Sequence, residues 1–174
     1  MWTRSPVQSA AMSVLAGPLF ALALLVGAAG VAKVSRPDPA VRALRTAGLP
    51  SSELAVRGLG AAEIVLAAAT LVYGGPLLAL AVAGAYAGFA AFSWRLLSRS
   101  AATASCGCFG VDTSAPVTSW PVGVNVASAL VALGAVVWPS DGLPDVVADQ
   151  PLWGLPFLAL VVVATVVWLG MRKR

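Results

Sequence analysis

Residues 64–94 read IVLAAATLVYGGPLLALAVAGAYAGFAAFSW, and this stretch decides the fold. It carries no charged side chain, and Tyr73-Gly74-Gly75-Pro76 interrupts it after nine residues. A glycine pair followed by proline is turn punctuation. Carried back to Leu54 through Arg57 and Glu63, and forward to Leu97 past Arg95, each side reaches the roughly 20 residues that a helix needs to cross a bilayer. The stretch therefore reads as two antiparallel membrane helices, about Leu54–Tyr73 and Pro76–Leu97, joined by a tight uncharged turn.

The rest of the chain repeats the pattern. Charges are also absent from 5–32, 113–140 and 150–171, each long enough for one more span. The chain is 59% hydrophobic and 10% charged, with mean hydropathy +0.89, whereas a soluble domain carries roughly 25% charged residues. The expected fold is an all-α integral membrane protein, a single membrane domain over residues 1–174 with no separate soluble domain. The net charge of +4 comes mostly from arginines flanking the spans, so it implies no nucleic-acid partner. Most basic residues are Arg rather than Lys, which hints only at a GC-rich bacterial coding bias; the spans themselves imply a multi-pass protein of the bacterial plasma membrane.

Taken in order, residues 1–13 form a polar lead and the first span runs from about Val14 to Val34. A cleaved signal peptide ending near Ala28-Ala29-Gly30 is the rival reading, but the apolar run exceeds the usual h-region. Residues 35–53 contain Pro37, Pro39 and Pro50, with Val41, Leu44 and Leu49 alternating with Arg42 and Arg45. This is either a short amphipathic helix on the membrane surface or a solvated loop. In the third span Gly84 and Gly88 form a small-residue ridge suited to close helix packing. The fourth span runs from about Trp120 to Trp138. A loop with Asp141, Asp145 and Asp149 follows, then a fifth span over about 152–171.

Helix parity places the 1–2 and 3–4 loops on one face. Lys33, Glu63, Asn125, Arg95 and Arg99 therefore collect at that end, with Cys106-Gly107-Cys108-Phe109-Gly110 in the loop itself. These are the only two cysteines. The intervening glycine lets the backbone bend enough to close a strained disulfide, and strained, accessible disulfides tend to be redox-active. Glu63 lies inside its span, where a carboxylate is costly unless it meets a partner or a wet cavity. Lys33 is the natural partner; the bland alternative is a snorkelling lysine and a packing carboxylate.

The leading chemistry is thiol–disulfide exchange at Cys106 and Cys108. Arg95, Arg99 or the fourth helix N-terminus would favour the thiolate, and Glu63 would accept a proton. Electrons would pass to a membrane quinone or to a second thiol protein; no quinone motif is present and no other cofactor is expected. A Cys-x-Cys pair also suits a soft cation such as Cu(I), although with no His in the chain a zinc site would need Asp112, water or a second subunit. A non-catalytic assembly factor or small transporter is the third class. As the blandest view, the cysteines are small apolar residues at a helix end.

Lys33 followed by Pro37-Asp38-Pro39, Glu63 early in the second span, and the Cys-Gly-Cys-Phe-Gly motif after the third resemble the MauE family. These are methylamine-utilisation membrane proteins related to the DoxX-like group. The resemblance covers about 14–138 and departs at Val124-Asn125, where the family often has Arg-Asn. It implies a four-helix transmembrane bundle similar to the vitamin K epoxide reductase and DsbB type, with the fifth C-terminal span outside this core. It also implies a thioredoxin-like partner of the MauD type, working in disulfide formation for methylamine dehydrogenase. Charge bias puts the cysteine pair on the cytoplasmic side; the resemblance puts it on the outer side, where disulfide chemistry usually belongs.

Overall fold

The computed structural model describes residues 6–99 and 119–149. Six helices make it up: α1 (Pro6–Ser35), α2 (Asp38–Thr46), α3 (Glu53–Tyr73), α4 (Pro76–Ser98), α5 (Trp120–Val137) and the short α6 (Leu143–Asp149). Four of these have the length and hydropathy to cross a membrane: α1 over Leu15–Ser35, then α3, α4 and α5. The chain is a multi-pass helical membrane protein. The expected fifth span, about 152–171, lies outside the described residues.

Two helix pairs, α1 with α3 and α4 with α5, form the close contacts; α1 also touches α5, while α3 and α4 meet only sparsely. The core lies among α1, α4 and α5, where Leu19, Val26, Val82 and Tyr86 pack over Ala79, Ala83, Ala129 and Ala132. Small residues let membrane helices approach closely, since lipid supplies no hydrophobic drive toward association. Large apolar side chains point outward instead, Leu77, Leu130 and Val137 among them. A water-soluble monomer rarely shows so much apolar surface; here it faces acyl chains.

Three expectations change in detail. The first helix starts at Pro6, within the expected polar lead, because Pro suits the opening turn of a helix. The acidic loop after the fourth span contains α6. Among the described residues nothing lies within 4 Å of a Cβ built at Gly84 or Gly88, so this ridge packs against none of the described helices.

Hydrogen bonds confirm the helix parity at both ends. At one end Arg95 Nε donates to the Ala47 carbonyl at 2.8 Å, joining the end of α4 to the end of α2. At the other end Gly75 N–H donates to the Ser140 carbonyl at 2.9 Å, and Gly74 bridges Asp141. Gly74 has φ +61° and Gly75 φ +90°, so the turn uses a backbone region that other residues avoid.

Within residues 35–53, Asp38–Thr46 form the helix α2. Pro37 and Pro39 start it, and their fixed φ suits a first turn. Its end is a Schellman motif: Leu49 N–H donates to the Leu44 carbonyl, Gly48 N–H to that of Arg45, and Gly48 has φ +64°. Ala40, Ala43 and Ala47 are its buried stripe. Ser52 then caps α3 by accepting from Ala55 N–H at 3.1 Å.

Candidate functional site

The site begins with two glycines. A Cβ at Gly30 would lie 2.5 Å from the Gly60 carbonyl oxygen, and a Cβ at Gly60 would lie 2.7 Å from that of Gly30. Only glycine at both positions permits this crossing of α1 and α3. Three residues beyond each glycine, nearly one helical turn, stand Lys33 and Glu63. The close crossing therefore delivers the two ionisable side chains to each other.

Lys33 Nζ lies 2.8 Å from Glu63 Oε1 and 2.7 Å from Oε2. Both residues are buried, at 5% and 4% exposure. Glu63 is at the midpoint of α3, about 15 Å from its start at 1.5 Å per residue. An ion at such depth is tolerated when paired. Each charge here neutralises the other, and a proton moving along the hydrogen bond creates no net charge. Lys33 Nζ also sits 5.0 Å from the centroid of the Phe89 ring, within cation–π range. Phe89 in turn meets the edge of Tyr86, 5.9 Å between centroids at 86°. Tyr86 is tied to α1 by its hydroxyl, which donates to the Leu22 carbonyl at 3.0 Å.

Beside the ion pair, in the gap between α3 and α4, lies a cavity of about 470 Å³. Ala40 and Leu44 of α2 border it, Leu66 and Val56 come from α3, and Gly88 and Phe92 from α4. Among the described residues, Lys33 and Glu63 are its only charged lining.

Of the residues the sequence singled out, Lys33 and Glu63 are brought together. Arg95 bonds the α2 C-terminus, and a Cβ at Gly48 would run into the Arg99 guanidinium. Both arginines thus lie against the end of α2, where cations complement the helix dipole. Asn125 is half-buried in the second turn of α5. Cys106 and Cys108 lie outside the described residues. In the sequence they fall between the end of α4 at Ser98 and the start of α5 at Trp120. Among the described residues no group of three or more acidic, His or Cys side chains could hold a metal.

Sequence reasoning missed Gly30, Gly60, Phe89 and the cavity. A signal for the first two was present: Gly30-x-x-Lys33 and Gly60-x-x-Glu63 repeat one spacing on two helices.

A family model described as methylamine utilisation protein MauE matches residues 11–140, which covers all four described spans. No match was found among curated proteins or among solved structures.

Proposed function

Because the chain belongs to the MauE family, we propose that it is a membrane thiol–disulfide redox protein acting with a thioredoxin-like partner of the MauD type. Its task is to assist disulfide formation or electron transfer, as in methylamine dehydrogenase maturation. The observation that carries this reading is the Cys106-Gly107-Cys108 pair, the only cysteines in the chain, in the segment between α4 and α5.

A thiolate of one dithiol attacks the other protein's disulfide, breaking its S–S bond and forming a mixed disulfide. The neighbouring thiolate then attacks that mixed disulfide and releases the second protein's dithiol. Two electrons move from dithiol to disulfide, and each thiol that becomes a thiolate gives up a proton. The Lys33–Glu63 pair supports this reading as a buried proton relay, with Glu63 as acceptor. Arg95 and Arg99 support it by fixing the end of α4 from which the cysteine loop departs. The pair faces the extracytoplasmic side in this reading.

Cys108→Ser tests the proposal. The purified variant should form a disulfide-linked adduct with a thioredoxin-like protein, seen on a non-reducing gel and lost on reduction. Absence of any adduct, with copper retained by the wild type and lost on changing either cysteine, would favour soft-metal binding instead.

A further inference from the structure

One seam of the bundle is unfilled among the described residues. α1 pairs closely with α3 and α4 with α5, but α3 and α4 meet only sparsely, and the cavity of about 470 Å³ lies between them. Leu59, Ala62 and Leu66 line it from α3, and Gly84, Gly88 and Phe92 from α4. No described residue comes within 4 Å of a Cβ built at Gly84 or Gly88. Both walls belong to membrane-crossing helices, so the seam is filled either by lipid or by protein at membrane depth.

The chain itself supplies an occupant. α6 ends at Asp149 and packs chiefly on α3 and α1. It sits at the bundle end that carries the Gly74-Gly75 turn: Gly75 N–H donates to the Ser140 carbonyl, and a Cβ at Gly142 would run into the Val72 carbonyl oxygen. Residues 150–171 follow without a charge. Three extended residues reach about 10 Å, roughly one helix width, which is enough to pass α3. The 20 residues of 152–171 then span about 30 Å as a helix, one crossing of the hydrocarbon core.

Such a helix starts at the end where α4 starts and runs parallel to it. Gly84 and Gly88 stand eight and twelve residues beyond Pro76, about 12 and 18 Å into α4. At the same depth the fifth span presents Leu160, Val161, Val162, Val163 and Ala164. Aliphatic side chains there meet a wall that has none, and the bare α4 backbone permits close approach. Membrane helices associate through such packing, since lipid supplies no hydrophobic drive.

We infer that the fifth span, residues 152–171, docks along the α3–α4 seam with residues 160–164 against Gly84 and Gly88. Docked there, it walls the cavity off from lipid. It also carries Arg172-Lys173-Arg174 to the bundle end that bears Lys33 and Arg99. The inference rests on the seam, the point where α6 ends and the length of uncharged chain beyond it. It holds whether or not the cysteines exchange.

The test uses the full chain in membranes, in a Cys106→Ser/Cys108→Ser background. Gly88→Cys is paired in turn with Leu160→Cys, Val161→Cys, Val162→Cys, Val163→Cys and Ala164→Cys, and each pair is oxidised with copper phenanthroline. A disulfide needs Cα atoms within about 7 Å. At least one pair should link within one chain, read as joined peptides in the monomer band. Leu130→Cys, at an exposed position on α5, should link to none of the same five. No link from any Gly88→Cys pair, or Leu130→Cys linking as readily, overturns the inference. So do links found only in a dimer band, which would make a second copy the occupant. Should the paired variants not fold, a lipid-borne diazirine on the wild type decides. Label over residues 84–88 should fall roughly fivefold below that at Leu130 and Val137, both exposed on α5. Equal label would make lipid the occupant and overturn the docking.

Discussion

Gly30 and Gly60 meet backbone to backbone across α1 and α3, each so close that a methyl group would lie 2.5 to 2.7 Å from the other's carbonyl oxygen. This contact sets the distance between the helices and hence the meeting of Lys33 with Glu63. Gly30→Ala or Gly60→Ala must push the helices apart. Each should destabilise the bundle by about 1–3 kcal/mol, the usual cost of overpacking. Gly58→Ala, on the same helix but facing open space, should be neutral or slightly stabilising through helix propensity. Reversible unfolding in mixed micelles measures all three.

The ion pair can be separated from its packing role. Glu63→Gln or Lys33→Met alone leaves one buried charge unpaired and should cost about 3–5 kcal/mol. The double variant Lys33→Met/Glu63→Leu should recover most of that stability, since a buried pair often yields to apolar residues at little cost. If the pair also carries protons for thiol exchange, the double variant stays folded yet exchanges slowly. Wild-type exchange in a stable double variant would reduce the pair to packing alone.

Arg95 closes the α2 terminus through the Ala47 carbonyl. Arg95→Gln should cost about 1.5–3 kcal/mol, the range for hydrogen bonds to charged groups. The loss should be local: amide exchange at Gly48 and Leu49, the donors of the Schellman motif, should quicken while α5 amides keep their rates.

At the opposite end, Gly74 has φ +61° and ψ −151°, a combination open in practice only to glycine. Gly74→Ala should cost about 1–3 kcal/mol from backbone strain. Its Cβ would also lie 2.6 Å from the Asp141 carbonyl group. Loss of protection at Gly75, whose N–H is held by Ser140, would mark the damaged end.

Sidedness has its own measurement. A membrane-impermeant maleimide should label the reduced cysteine pair in intact cells. Labelling only after lysis would support the charge bias and contradict the outward-facing arrangement.

The spans were legible because charge is so sparse. Arg95 and Arg99 mark the end of α4, and Gly74-Gly75-Pro76 marks its start to the residue. The Lys33–Glu63 pairing was legible too, for parity joins the end of α1 to the start of α3 and a lone carboxylate at depth is costly, although Glu63 stands at the midpoint of α3 rather than early in it. Gly30 and Gly60 were not, because small residues abound on every span and the face that packs is a tertiary outcome. Gly84 and Gly88 illustrate the converse: a small-residue pair one turn apart has nothing packed on it among the described residues. Phe89 carried no signal, since an apolar aromatic in an apolar helix stands out only when a cation is placed over it.

The central claim is that Cys106 and Cys108 cycle between dithiol and disulfide. The most direct measurement is their redox state in acid-quenched membranes, read by the gel shift of a thiol-reactive polymer, before and after equilibration with dithiol and disulfide buffers. The account predicts two interconverting species, one binding two polymer chains and one binding none. A pair that remains fully reactive under oxidising buffer, or never reacts under reducing buffer, would contradict it.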